Sequence, residues 1–161
     1  MTDDFKILPC KEDYIEKAIE ITYIAWESVF EKYREALGDK IFADLYGDWK
    51  EQKYNRVYKG LTSGRGYVAL VNGEVAGFIF YEIDEGKKKG IVEENAVHPE
   101  YRGLGIAGKM YDFVLSKMRK EGMKYAMVTT GLDEAHAPAR RAYEKAGFDK
   151  TLESVRYFME I

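Results

Sequence analysis

Two β-rich runs, Tyr67-Val68-Ala69-Leu70-Val71 and Val75-Ala76-Gly77-Phe78-Ile79-Phe80-Tyr81, stand on either side of Asn72-Gly73. An Asn-Gly pair accepts the positive φ angles of a tight turn at little cost, so these runs predict a β-hairpin. That hairpin requires a sheet around it. Before Gly60 the periodicity is different. Ile15, Ile19, Thr22/Tyr23, Trp26 and Phe30 recur at three to four residues, which predicts a helix over residues 13–37 stopped by Gly38. A second helical stretch, from about Lys40 to Tyr58 through Ile41, Leu45, Trp49 and Val57, is interrupted by Gly47. Phe5-Lys6-Ile7-Leu8, closed by Pro9, reads as a short strand.

Beyond the hairpin a polar link, residues 84–90, carries Lys87-Lys88-Lys89 as a solvated loop and leads to a strand over residues 91–97. A glycine-rich turn follows, then an amphipathic helix over 105–121 with Ile106, Met110, Phe113/Val114 and Met118 on one side, ended by Gly122. Residues 125–130 predict another strand. Pro138 opens a helix carrying Ala139, Ala142, Tyr143 and Ala146, and Gly147 ends it. A last strand is expected over residues 155–161. Helices gathered early, then strands mixed with two single helices, make an α+β fold with a mixed, mainly antiparallel sheet flanked by helices.

Composition narrows the class. The chain has 161 residues, 46% of them hydrophobic, which suits a single domain over residues 1–161 and excludes wholesale disorder. A net charge of −3 argues against a dedicated nucleic-acid binder. No apolar run approaches the ~18–20 residues of a membrane span, and the acidic start Met1-Thr2-Asp3-Asp4 lacks the features of a secretory signal. Cys10 stands alone, so neither a disulfide framework nor a cysteine metal site is expected, and no zinc spacing occurs. The expectation is a soluble cytoplasmic protein with no nucleic-acid, membrane or metal partner. Residues 1–84 carry 11 basic and 16 acidic side chains, while residues 85–161 carry 14 and 12. Such asymmetry suits two partners of opposite sign, or simply solvated faces that drift in charge.

Gly103-Leu104-Gly105-Ile106-Ala107-Gly108 satisfies G-x-G-x-x-G literally, but a dinucleotide turn needs a strand immediately before it and an acidic residue about twenty positions later. Here His98-Pro99-Glu100-Tyr101-Arg102 intervenes, and Met127-Val128-Thr129 brings no carboxylate. The physical content survives: glycines at a helix start leave outward N–H groups at the positive end of the dipole, a cradle for phosphate. Arg102 adds a charged fork ahead of it.

The run Val97-His98-Pro99-Glu100-Tyr101-Arg102-Gly103-Leu104-Gly105-Ile106-Ala107 resembles the acetyl-CoA signature of the GCN5-related N-acetyltransferases (GNAT). Ala142-Tyr143-Glu144-Lys145-Ala146-Gly147-Phe148 is similar to that family's Tyr-Glu-Lys-x-Gly-Phe segment. With the hairpin and the early helices, the resemblance covers essentially the whole chain. It implies a GNAT-like acyl-CoA N-acyltransferase fold whose neighbouring strands, residues 91–97 and 125–130, run parallel and splay apart. The pantetheine arm would enter the gap and pair with the backbone near Ala96 and Val97. The pyrophosphate would sit on the amides of Arg102, Gly103, Leu104, Gly105, Ile106, Ala107 and Gly108. His136, seven residues before Tyr143, stands where many relatives have an Asn touching the cofactor arm.

The activity implied is acetyl transfer from acetyl-CoA, the acyl-donor cosubstrate, to a primary amine of a small molecule, peptide N-terminus or lysine. The alternative is a non-catalytic acyl-CoA-binding module. An alkyl ammonium with a pKa near ~10 must lose its proton before it can attack, which asks for a carboxylate or water chain. Glu93 and Glu94 are adjacent on one strand, hence expected on opposite faces with only one in the cleft. The family's strands favour Glu93, with Glu94 second. A backbone N–H near Val97 is the expected oxyanion donor, and the resemblance makes Tyr143 the acid for the departing sulfur. His98 reads as structural, and Arg140 and Arg141 as exposed helix charges within reach of cofactor phosphates.

Residues 14–58 hold ten aromatics, and in this family the first helices wall the acceptor site. With Glu27, Glu31, Asp44 and Asp48 they would suit a cationic or amphipathic amine. Packing of helices onto the sheet, or a homodimer contact, is the other use of such rings.

Overall fold

In the computed structural model, which describes residues 4–161, the sheet order is β1 (Phe5–Pro9), β2 (Gly66–Val71), β3 (Glu74–Asp84), β4 (Lys89–Val97), β5 (Tyr125–Val128). β1 to β4 pair antiparallel, and β5 runs parallel to β4. The hairpin turn forms where the sequence requires it: Asn72 and Gly73 both hold positive φ, 50° and 85°. The lysine run is shorter as a loop than expected, because β4 begins at Lys89.

Helix α1 spans Glu12–Leu37 and ends at Gly38, which holds φ 80°. The expected second helix divides at Gly47 into α2 (Asp39–Tyr46) and α3 (Trp49–Leu61). A 3-10 turn, Pro99–Tyr101, follows β4, then α4 (Ile106–Lys120), and α5 (Ala137–Ala146) ends at Gly147. One face of the sheet, with Val68, Leu70, Phe78, Phe80 and Ala96, packs against Ile15 and Ile19 of α1 and Val57 and Leu61 of α3. The other, with Ala69, Ile79, Tyr81 and Val92, packs against Met110, Val114 and Met118 of α4 and Tyr143 of α5. Full burial of each Val, Leu, Ile, Phe or Met among them stabilises by roughly 1.5–3 kcal/mol.

Two expectations are corrected. The strand expected over 155–161 does not form: residues 149–161 carry neither helix nor strand. Phe158 breaks the alternation of Val155, Tyr157, Met159 and Ile161, and a strand also needs a ladder partner. Where the segment lies it meets helix side chains instead, Arg156 reaching Tyr33 and Tyr46 and Glu160 reaching Lys40. The expected opposition of Glu93 and Glu94 also fails, for the reason given below.

Candidate active site

The gap between β4 and β5 is built by register. Lys89 pairs with Tyr125 and Val92 with Val128, and the ladder stops there, so among the described residues no strand lies beside residues 93–97 on that edge. His98 N–H donates to Ala76 C=O (2.8 Å) on β3. Alternation along the strand therefore turns the backbone groups of Ala96 toward β3 as well, and those of Asn95 and Val97 toward the open edge. A Cβ on Gly77 would lie 2.7 Å from the Ala96 oxygen, which confirms that direction. Of the two positions expected to meet an entering arm, Val97 has free edge groups. Ala96 spends its own on the sheet, and Asn95 takes its place.

The glycine bend lies just beyond this edge. Gly103 and Gly105 hold φ of 80° and 73°, conformations that favour glycine. Gly105 caps α4, and the first helical bond runs from Lys109 N–H to Gly105 C=O (3.1 Å). The N–H groups of Ile106, Ala107 and Gly108 are thus left without a helical acceptor, at the positive end of a fifteen-residue helix. A Cβ added at Gly103, Gly105 or Gly108 would meet nothing within 4 Å, so the bend is open. Leu104 is half-exposed beside it. The amide of Arg102 is the exception to the expected cradle: it donates to Pro99 C=O (3.2 Å) and closes the 3-10 turn. The Arg102 side chain is exposed and engages no described residue, so its guanidinium can still face an anion. His98 caps the 3-10 turn, its Nδ1 accepting from Glu100 N–H (3.2 Å).

Glu93 and Glu94 occupy a β-bulge. Ile79 pairs with Asn95 and Tyr81 with Val92, so Phe80 alone opposes both glutamates. The extra residue breaks the two-residue alternation, and both carboxylates reach α3. Arg56 pairs with Glu93 and, through Nε, with Glu94 Oε1 (3.0 Å). Lys53 Nζ also reaches Glu94 Oε1 (2.5 Å) and sits 4.5 Å from the centre of the Trp26 ring. Burial holds the Lys53 ammonium below the usual lysine range, against the opposing pull of Glu94. Glu94 Oε2 is buried with no hydrogen-bond partner. A buried carboxylate oxygen left open is costly, which marks it as a place for a donor.

On the opposite face Asn95 is a hub that the sequence reading missed. Its Oδ1 accepts from Tyr111 OH (2.8 Å) and its Nδ2 donates to Tyr143 OH (3.3 Å) and to Glu93 C=O (3.3 Å). Because the Tyr143 hydroxyl is the acceptor, this contact does not consume its proton. The buried ring of Tyr143 packs 5.0 Å from that of Tyr111. Burial, reinforced by Tyr143, pushes the Tyr111 hydroxyl far above its ordinary pKa. A strand Asn flanked by buried tyrosines leaves no spacing signature, since its partners lie 16 and 48 residues away.

His136 opens α5 and turns its Nδ1 to Asp133 (2.8 Å), away from a role that would need that nitrogen free. Burial disfavours the Asp133 carboxylate, but the hydrogen bonds and charge of His136 together outweigh it and hold the carboxyl below its usual range. Arg140 donates to the carbonyls of Gly131 and Asp133 (2.7 Å each) and so fastens the loop before α5. Most of the early aromatics serve packing: Phe30 stacks on Trp49 (4.6 Å) and meets Tyr33 (5.3 Å), which meets Tyr46 (5.2 Å), joining α1, α2 and α3.

Comparison with known proteins bears on the fold and the family. An uncharacterized N-acetyltransferase of Archaeoglobus fulgidus is 35% identical over 81 residues, 47% of this chain and 54% of that protein. The chain thus spans about half the length of the curated relative it matches. Among solved structures, an aminoglycoside N-acetyltransferase AAC(6')-Iy in complex with CoA superimposes with a TM-score of 0.68 at 14% identity, covering 100% of this chain and 98% of that one. The PaiA N-acetyltransferase of Thermoplasma acidophilum, in complex with coenzyme A, gives 0.68 at 16% identity over 91% and 90%. The acetyltransferase (GNAT) family pattern itself matches residues 26–148, and on that match the chain belongs to the GNAT family.

Proposed function

We propose that this chain is an N-acetyltransferase that moves the acetyl group of acetyl-CoA to a primary amine. The observation that carries the reading is the coincidence of two open features. The β4 edge at Asn95 and Val97 is left unpaired by the end of the β5 ladder, and the glycine bend beside it presents the amides of Ile106, Ala107 and Gly108 to an anion. A long thioester with a diphosphate at its far end fits that pair of features: an amide-bearing arm can add to the strand edge while the phosphates lie on the helix start.

In the reaction the amine nitrogen forms a bond to the thioester carbonyl carbon and the C–S bond breaks. Glu94 is the better base for the ammonium proton, because its buried Oε2 has an open lone pair. Glu93 is the second candidate, its carboxylate held by Arg56. The N–H groups of Asn95 and Val97 at the open edge can stabilise the developing oxyanion, a contribution of ~3–4 kcal/mol for one such donor. Tyr143, oriented by Asn95, can supply the proton that the departing thiolate takes up. Arg102 and the glycine bend would hold the diphosphate.

A second reading, a module that binds acyl-CoA without turnover, draws support from the ion pairs that already engage both glutamates. A thiol-release assay with acetyl-CoA against polyamines, amino acids, aminoglycosides and N-terminal peptides separates the two. Release that depends on an amine supports transfer. Calorimetric binding of coenzyme A without any release supports the module, and no heat with coenzyme A rejects both.

A further inference from the structure

A primary amine of the chain itself stands beside the proposed base. Lys53 Nζ lies 2.5 Å from Glu94 Oε1 and 4.5 Å from the centre of the Trp26 ring. A carboxylate and a ring face are the partners that an amine acceptor would seek. Oε1 and Oε2 belong to one carboxylate, so an amine seated on the open Oε2 would be the immediate neighbour of Lys53. The next residue of β4, Asn95, directs its N–H to the edge where the thioester carbonyl would be held. Burial holds the Lys53 ammonium below the usual lysine range, so more of this amine is neutral and nucleophilic than on a free lysine. Arg56, the other cation on Glu94, carries a guanidinium that keeps its charge and does not attack.

We propose that Lys53 is a self-acetylation site: with acetyl-CoA bound and no acceptor in the cleft, its Nζ takes the acetyl group. The inference rests on the acetyl-CoA reading above. The ammonium first gives one proton to Glu94. The neutral Nζ then bonds to the carbonyl carbon, and the C–S bond breaks with its electron pair going to sulfur. A second proton from the nitrogen neutralises the thiolate. The products are an Nε-acetyl amide, coenzyme A as the free thiol, and the proton held by Glu94. The amide is neutral, so of the two described cations on Glu94 Arg56 alone remains.

The Lys53 side chain is 16% exposed, whereas those of Lys40 and Lys150 are 76% and 88% exposed. Acetyl groups arriving from bulk solution therefore reach the surface lysines first, and a donor seated in the cleft reverses that order. The full chain is incubated with acetyl-CoA and no added amine, and the acetyl groups are mapped by peptide mass spectrometry. Lys53 should be acetylated at least ~10-fold faster than Lys40 or Lys150. Excess coenzyme A should suppress the Lys53 product and leave the slow reaction of the surface lysines unchanged. Lys53→Arg, which keeps a cation on Glu94, should lose this product. Thiol release with added amines is measured on the same preparation. A chain that binds coenzyme A yet leaves Lys53 unmodified overturns the proposal, and if it still acetylates added amines the activity stands without it. Lys53 acetylation that excess coenzyme A does not reduce also overturns it, and a chain that binds no coenzyme A overturns both readings.

Discussion

Glu93 and Glu94 are consecutive in β4, yet both carboxylates meet the same guanidinium, that of Arg56. The bulge opposite Phe80 is the cause, and it sets two negative charges against Arg56 and Lys53 on one face of the sheet. The two glutamates are not equivalent. Glu94 is the more enclosed, shares Oε1 with two cations and leaves Oε2 open, whereas Glu93 is held by Arg56 alone. Glu94→Gln should lower amine-dependent thiol release ~100-fold while coenzyme A affinity stays within about threefold, and Glu93→Gln should cost less. Steady-state rates and calorimetry of both variants check this; equal losses would remove the distinction.

The hydroxyls of Tyr111 and Tyr143 divide the two ends of the Asn95 amide between them. If Tyr143 protonates the leaving sulfur, Tyr143→Phe should reduce turnover ~100-fold with little change in coenzyme A binding. Asn95→Leu tests the support. It strips the buried Tyr111 hydroxyl of its acceptor and should lower unfolding free energy by about 1–3 kcal/mol, read by denaturant melts. A Tyr143→Phe enzyme of full turnover would leave that ring a packing role alone.

Far from this site, Arg65 donates through Nε (3.0 Å) and Nη2 (2.8 Å) to Glu121, which also accepts from the Tyr81 hydroxyl. Arg65 holds the Glu121 carboxyl below its usual range. A carboxyl depressed in the folded state stabilises above its unfolded pKa of ~4.3, and that stability is lost as pH falls through the folded value. Both partners are partly exposed, so the pair contributes about 1 kcal/mol at most. Arg65→Ala should accordingly melt below the wild type at pH 7, and the gap should close on acidification below the unfolded value. A gap that persists into strong acid would point to lost packing of the arginine stem instead.

The hairpin, the helix ends at Gly38 and Gly147, and the glycine bend were legible because each rests on local backbone chemistry within a few residues. The bulge was not. Nothing in Val92-Glu93-Glu94-Asn95 marks an extra residue, since the bulge exists only relative to β3, and so the rule of alternating faces gave the wrong geometry for the two acids. The partners of Asn95 were hidden for the same reason, being set by how α4 and α5 pack on the sheet. At the C-terminus the pattern gave the wrong outcome, since residues 155–161 form no strand. Alternation reports what a segment can bury, while a strand also needs an edge to pair with.

The bend at Gly105 offers the most direct test of where a diphosphate would lie. Gly105 holds φ 73°, and a Cβ placed there meets nothing within 4 Å, so Gly105→Val meets backbone strain but no clash. The left-handed conformation costs a non-glycine residue roughly 1–2 kcal/mol, a loss that a folded domain can survive. The isopropyl group would instead stand over the amides of Ile106, Ala107 and Gly108 and deny them to phosphate. Calorimetry should therefore record at least a ~10-fold weaker coenzyme A complex, about 1.4 kcal/mol, with the melting transition still cooperative. Dephospho-coenzyme A and pantetheine supply the control. The first keeps the diphosphate and should suffer like the parent, while the second lacks it and should bind wild type and variant alike. If the valine leaves the affinity for coenzyme A untouched, the diphosphate does not rest on this helix start.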